Sequence, residues 1–212
     1  MNRSPNPPRP LNRGERRVDL WVHGFAIVAG LVGVATLMGA VIPQGRPGLT
    51  LSLLVYSCGL LAMLICSALY NGGEQGRGLL RQLDHVAIFA MIAGTYTPFL
   101  VVKLDGAWSR WLLVYVWSVA GLGGAMKLIW PYRFERLSVA LYLFLGWTIL
   151  VAIVPIFVSV SVPAIILLAV GGLLYSVGVL FHLWERLPYQ QPIWHVFVLA
   201  GATCHDFAVL GE

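Results

Sequence analysis

Charged side chains are scarce in this chain. Asp, Glu, Lys and Arg make up 11% of its 212 residues, whereas they account for about a quarter of an ordinary soluble domain. Hydrophobic residues make up 58%, and the mean hydropathy is +0.80. This balance excludes a soluble globular protein and predicts an integral, multi-pass protein of the cell membrane, with the lipid bilayer as its immediate partner.

Cysteine is also scarce, with three residues in the chain. Cys58, Cys66 and Cys204 all fall within long apolar runs and form no Cys-x-x-Cys pair. The pattern favours small packing residues over a disulfide framework.

No Asp, Glu, Lys or Arg occurs from Leu137 to Trp184, an interval of 48 residues. Because about 20 helical residues cross a bilayer, this interval must contain two spans and fold back on itself. The turn is predicted within PIFVSVSVP, where Pro155 and Pro163 disfavour a continuous helix. Over the whole chain we predict seven spans, at residues 23–41, 49–71, 85–102, 111–129, 137–157, 163–184 and 192–210.

Basic residues are distributed unequally between the two ends of these spans. With the N-terminus inside, eleven of the fourteen Lys and Arg residues lie on the cytoplasmic side, as the positive-inside rule requires. We therefore predict an all-α, seven-transmembrane helix bundle over residues 21–212 with a cytoplasmic N-terminus. A disordered basic tail is predicted over residues 1–20. It lacks interleaved aromatic residues, so no nucleic-acid partner is expected.

Polar residues from three spans share one depth, near the predicted cytoplasmic end. Ser67 and Asn71 close the second span, Asp84 opens the third, and Gln191 and His195 open the seventh. Ser67 and Asn71 are four residues apart, as are Gln191 and His195, so each pair lies on one face of its helix. Three helices could therefore direct polar groups at one point.

A plainer interpretation of these residues stays open on spacing alone. Polar residues cost least at the membrane surface, so Asp84 could cap the third helix and His85 could extend towards the headgroups. Against this, an ionisable residue near the membrane core tends to face a partner or a cavity.

The other histidines are expected outside such a site. His205 lies ten residues after His195, which is about 15 Å along a helix, so the two cannot bind one ion. His205 and Asp206 are expected nearer the outer end, with His205 either a satisfied core histidine or an interfacial one. His23 and His182 stand at span ends and are expected to be interfacial.

Several longer segments resemble one known family. They are CSALYN at 66–71, LDHVAIFAMIAGTYTPF at 83–99, LYLFLGW at 141–147, GGLLYSVGVLFH at 171–182 and PIWHVFVLAGATCH at 192–205. With the number and order of spans, they resemble hemolysin III, the bacterial branch of the progestin and adipoQ receptor superfamily. The resemblance implies zinc held by three histidines, with an Asp and a Ser beside a metal-bound water. Such an open site suits hydrolysis of a lipid amide.

This chain departs from the family pattern at two of the three ligand positions. Asn71 and Gln191 stand where the resemblance implies histidines, and only His195 remains. Because a carboxamide oxygen is a weak ligand for a borderline-soft ion, zinc is expected to bind weakly or not at all. His85 could supply a second nitrogen, although it points about 100° away from Asp84 around the helix. We hypothesise that the two amides, with Ser67, Asp84 and His195, replace the ion structurally.

Three functions follow from this pattern. The first is a non-catalytic or regulatory membrane protein, in homeostasis or sensing, with a degenerate zinc site and a lipid as its conceivable ligand. The second is a zinc-dependent lipid-amide hydrolase in which His195 binds the metal and Asp84 and Ser67 are catalytic. The third is cytolytic permeabilisation or transport, although the chain shows neither a repeated half nor a ladder of charges through its spans.

Overall fold

The computed structural model describes residues 11–72, 78–104 and 106–212, and its regular structure there is entirely helical. Within these residues the α-helices are α1 (Arg13–Val41), α2 (Pro47–Gly72), α3 (Gly78–Pro98), α4 (Gly106–Ile129), α5 (Glu135–Trp147), α6 (Ile153–Ser159), α7 (Val162–Leu183) and α8 (Gln190–Leu210). A 3-10 turn, Ile42–Gln44, follows α1, and a π-helical turn, Phe99–Lys103, follows α3. A second 3-10 turn, Thr148–Ala152, joins α5 to α6.

Seven helical segments of the described chain are long and apolar enough to cross a membrane. Six of them are built on single α-helices, while α5, the 3-10 turn and α6 together form the fifth span, Glu135–Ser159. The prediction of an all-α protein with seven spans is therefore confirmed.

The largest error in the predicted spans is at the start of α1. This helix begins at Arg13, whereas the first span was predicted from residue 23, so residues 13–20 of the predicted tail are helical. Asn12 caps the helix: its Oδ1 accepts a hydrogen bond from the Glu15 amide at 2.9 Å, and Glu15 Oε2 accepts one from the Asn12 amide at 2.8 Å. Because Asn12 and Glu15 are only three residues apart, this reciprocal capping box depends on the local sequence alone. The tail's first ten residues lie outside the described residues.

The predicted turn between the fifth and sixth spans is confirmed. α6 ends at Ser159 and α7 begins at Val162, both within the segment PIFVSVSVP. The Ser161 side chain accepts a hydrogen bond from the Ala164 amide at 3.4 Å and caps α7. Pro155 lies in the first turn of α6, where a missing N–H costs little because it has no intrahelical partner.

A tyrosine of α3 stabilises the irregular part of the fifth span. Backbone groups at membrane depth need partners inside the protein, and the 3-10 turn after α5 disturbs the helical ladder. The Tyr96 hydroxyl donates to the Gly146 carbonyl at 2.7 Å and accepts from the Ile149 amide at 2.8 Å. The side chains of Thr95 and Thr97, on either side of Tyr96, donate hydrogen bonds to carbonyl groups of α3 itself. The polar side chains of the segment TYTP, residues 95–98, therefore have structural partners within the bundle.

Small residues bring α2 and α3 into close contact. A Cβ atom at Gly59 would lie 3.2 Å from the Ala90 carbonyl oxygen, and one at Gly94 would lie 3.5 Å from the Tyr56 Cα. Such close backbone approach is typical of membrane helices. α1 packs on both α2 and α8, and α8 packs on α7. The end of the bundle at which α1 begins is called the N-terminal face below.

Candidate functional site

Three helices carry pairs of polar residues at the N-terminal face. In each pair the residues are four positions apart, so both side chains leave the helix on the same side. The pairs are Asp19 and His23 on α1, Ser67 and Asn71 on α2, and Gln191 and His195 on α8. The contacts between them define one polar cluster, to which α3 adds Asp84.

Two carboxamides link α8 to α2. Gln191 Nε2 donates a hydrogen bond to Asn71 Oδ1. Asn71 Nδ2 in turn donates to the Ser67 carbonyl at 2.9 Å and lies 3.3 Å from Ser67 Oγ. The structure therefore brings together three of the polar residues singled out in the sequence.

His195 is bonded to α1 rather than to the carboxamides. Its Nδ1 lies 2.6 Å from Asp19 Oδ1. The ring of His23 meets the ring of His195 edge-on, with centroids 4.4 Å apart. All three residues are buried, with exposed fractions of 2% for Asp19, 6% for His23 and 9% for His195. α1 thus supplies two ionisable residues to the interior of the cluster.

Asp84 lies inside α3 rather than at its first residue. It is the seventh residue of the helix and is buried, so the suggestion that it caps the helix is wrong. Its carboxyl group is hydrogen-bonded to the Ser67 side chain, lies 3.8 Å from His85 Nδ1, and is near His195. The carboxyl group of Asp84 therefore lies near both Ser67 and His195, although the direct hydrogen-bond partner of His195 is the Asp19 carboxylate.

His85 faces the neighbouring helix α5. Its Nδ1 lies 2.8 Å from the Arg81 carbonyl oxygen, and its Nε2 lies 3.4 Å from Glu135 Oε2. Both ring nitrogens are thus close to other partners. Among the described residues, the group of His, Cys and acidic side chains whose ligand atoms converge consists of Asp19, His23 and His195, and it does not include His85.

The polar residues in the second half of α8 have partners elsewhere in the bundle. His205 Nε2 lies 3.3 Å from the Leu168 carbonyl oxygen, and Asp206 Oδ1 accepts a hydrogen bond from the Tyr56 hydroxyl at 3.2 Å. Both agree with the expectation that they lie outside the cluster around His195.

Comparison with known proteins identifies the family. The model of the family described as Haemolysin-III related matches residues 13–206. The chain belongs to this family. It is 35% identical over 190 residues to the Hemolysin-3 homolog of Bacillus subtilis (strain 168), and the aligned region covers 89% of each chain. It is also 35% identical over 190 residues to Hemolysin-3 of Bacillus cereus, and the aligned region covers 89% of this chain and 87% of that protein.

A more distant relative extends the similarity to animals. The chain is 25% identical over 206 residues to the human monocyte to macrophage differentiation factor, covering 92% of this chain and 83% of that protein. Together with the seven spans, membership of the Haemolysin-III related family makes this chain a multi-pass protein of the cell membrane.

The zinc that the family resemblance implies does not fit its expected positions here. Two of those positions, Asn71 and Gln191, hold carboxamides, which are poor zinc ligands and are hydrogen-bonded to each other. The adjacent group of Asp19, His23 and His195 does offer suitable donors, because their ligand atoms all lie within 4.8 Å of one another.

Asp19 and His23 were missed as members of the cluster by sequence reasoning. The first span was predicted to start at residue 23, which placed Asp19 in the tail and His23 at the membrane surface. His23 is in fact buried, so the interfacial assignment is wrong. The spacing Asp19-x-x-x-His23 was a usable signal, because it repeats the four-residue interval recognised on α2 and α8.

Proposed function

We propose that this chain is a non-catalytic, regulatory member of the Haemolysin-III related family, acting in membrane homeostasis or sensing with a lipid as its ligand. The observation that supports this proposal is the hydrogen bond from Gln191 to Asn71. It joins the two positions at which the resemblance implies zinc ligands. The Asn71 oxygen, the atom of that side chain able to bind a metal, already accepts this hydrogen bond, and its Nδ2 group donates to Ser67.

The carboxamide pair has a structural role in this proposal. A buried polar group is costly in a membrane unless it has a partner, and a satisfied network helps to specify one packing arrangement. The bond between Asn71 and Gln191 ties α2 to α8, and the bond between His195 and Asp19 ties α8 to α1. These two hydrogen bonds therefore specify the helix contacts, although two of the three histidines that the resemblance implies are absent.

A double-mutant cycle measures the link directly. We expect Asn71→Ala and Gln191→Ala each to lower the free energy of unfolding in detergent by about 1 kcal/mol. We also expect them to be coupled by about 1 kcal/mol, because each removes the same hydrogen bond. Gln44→Ala is the control, since that exposed carboxamide bonds within its own helical segment. Additive effects, with no coupling energy, would count against a direct link.

A second candidate function is hydrolysis of a lipid amide. It is favoured by the position of Asp84, whose carboxyl group lies near both Ser67 and His195. A bound zinc ion would supply a nucleophilic water at neutral pH. In this function, Asp84 accepts a proton at its carboxylate oxygen and Ser67 Oγ positions polar groups by hydrogen bonding.

Turnover of a lipid amide separates the two functions. We expect proteoliposomes containing an N-acyl sphingosine to release no more fatty acid with the wild-type protein than with Asp84→Asn, because the proposed role is non-catalytic. Protein-free liposomes give the background, and Glu185→Gln, at an exposed acidic residue, controls for the loss of a charge. Release by the wild type that falls about a hundredfold in Asp84→Asn would instead establish the hydrolase.

Permeabilisation and membrane orientation remain predictions from the sequence. The name hemolysin belongs to the two Bacillus relatives, and permeabilisation by this chain stays a prediction. The orientation with the N-terminal face in the cytoplasm also stays a prediction, resting on the distribution of basic residues.

A further inference from the structure

One face of α1 carries three buried ionisable residues in succession. Glu15, Asp19 and His23 are spaced by four positions, and their exposed fractions are 0%, 2% and 6%. They therefore form a stripe along the side of α1 that faces the bundle. Buried ionisable residues in a membrane protein usually mark partners or functional sites.

The first two residues of this stripe have well-defined partners. Glu15 accepts hydrogen bonds from the Asn12 amide at 2.8 Å and from the Tyr189 amide at 2.9 Å. The second of these bonds fixes α1 to the segment just before α8, so the next turn of α1 brings Asp19 to His195 at 2.6 Å.

The third residue of the stripe is different. His23 is more than nine-tenths buried, and its buried Nε2 atom makes no hydrogen bond of good geometry, although the backbone of Ser67 lies close to the ring. The ring lies against the ring of His195. A buried nitrogen without a partner costs free energy, and a metal ion is one ligand that would satisfy it.

We propose that Asp19, His23 and His195 form a binding site for a zinc-type divalent ion, with α1 supplying the two ligands that are absent at positions 71 and 191. The donor set consists of two imidazole nitrogens and one carboxylate oxygen. This set suits zinc and similar transition metals, whereas magnesium and calcium prefer oxygen ligands alone. The proposal goes beyond the proposed function, because an ion held here can be structural or regulatory without any catalysis.

The present arrangement is close to what such an ion requires. The three ligand atoms already lie within 4.8 Å of one another. In a tetrahedral zinc site the ligand atoms are about 3.3 Å apart, so an ion held by Asp19 Oδ1 and His195 Nδ1 requires their 2.6 Å contact to open by about 0.7 Å. The ion then replaces the hydrogen bond between these two residues. Since Asp19 and His23 are on α1 and His195 is on α8, the ion links two helices.

Metal content of the full-length protein tests this site. The protein is purified in detergent without a metal-affinity tag, incubated with zinc, freed of excess metal, and measured by mass spectrometry. We expect about one zinc per chain in the wild type and in His182→Ala, which removes an exposed histidine of α7. We expect His23→Ala and Asp19→Ala to retain less than about a tenth of that amount.

Two further measurements keep the result interpretable if a variant is unstable. Added zinc should raise the unfolding temperature of the wild type and leave that of His23→Gln unchanged, because binding to the native state stabilises it. Cobalt in place of zinc should give the absorption of a tetrahedral nitrogen and oxygen site in the wild type alone.

Either of two results overturns the proposal. One is a wild-type protein without bound zinc and without a zinc-dependent shift in unfolding temperature. The other is zinc that persists in Asp19→Ala and His23→Ala but is lost in Asn71→Ala and Gln191→Ala, which would place the ion at the family positions. Neither result depends on hydrolase activity, so the metal site and the proposed function can fail separately.

Discussion

Replacing Asn71 and Gln191 by histidine should produce a protein that binds zinc even when His23 is absent. In the His23→Ala background we expect the two new imidazoles to bind zinc at least about a hundredfold more tightly than the original carboxamides do. The reason is geometric: Gln191 contacts Asn71, and it lies one helical turn from His195 on α8. Three imidazoles would then face one point. Titration with a competing chelator measures the change in affinity.

The control for this experiment is the same pair of substitutions combined with His195→Ala. That variant keeps two imidazoles and should lose most of the gained affinity, since two ligands and water make a poor zinc site. If the histidine pair gains no zinc affinity in the His23→Ala background, α2 and α8 do not preserve the family geometry. The carboxamide pair would then represent a repacked interface.

The sequence was sufficient to predict the main architecture of the bundle. Long apolar runs identify membrane helices because the bilayer imposes a minimum length. The uncharged interval from Leu137 to Trp184 could be divided correctly because it is too long for a single span. The prediction failed at the start of α1, where arginines near Asn12 suggested a tail although the capping box favoured a helix.

The same boundary error limited the prediction of the site. The spacing of Ser67, Asn71, Gln191 and His195 was visible in the sequence, and the structure shows which of these residues contact each other. The partner of His195 was not predictable in this way. It depends on α1 crossing the bundle next to α8, which is a tertiary contact, and on Asp19 being inside a helix.

A second polar cluster was not anticipated at all, and it joins α3, α4 and α5. Glu135 Oε1 lies 2.5 Å from Arg81 Nη2 and 3.0 Å from Lys127 Nζ, while Glu135 Oε2 lies 3.4 Å from His85 Nε2. Lys127 has an exposed fraction of only 1%. In the sequence these residues lie at or near the predicted ends of three different spans. Their convergence was not predictable, because it requires three helix ends to meet.

Removing the carboxylate of this cluster should be strongly destabilising. We expect Glu135→Ala to lower the free energy of unfolding by about 3 kcal/mol, because it leaves the buried Lys127 ammonium group without its charged partner. Thermal unfolding in detergent measures the loss, and Glu185→Ala, at an exposed acidic residue, should cause little change. The double variant Glu135→Leu/Lys127→Met should recover part of the stability, since replacing both partners removes the unpaired charge. If the double variant is less stable than Glu135→Ala, the cost does not come from the buried ammonium group, and the remaining contacts of Arg81 and His85 must account for it.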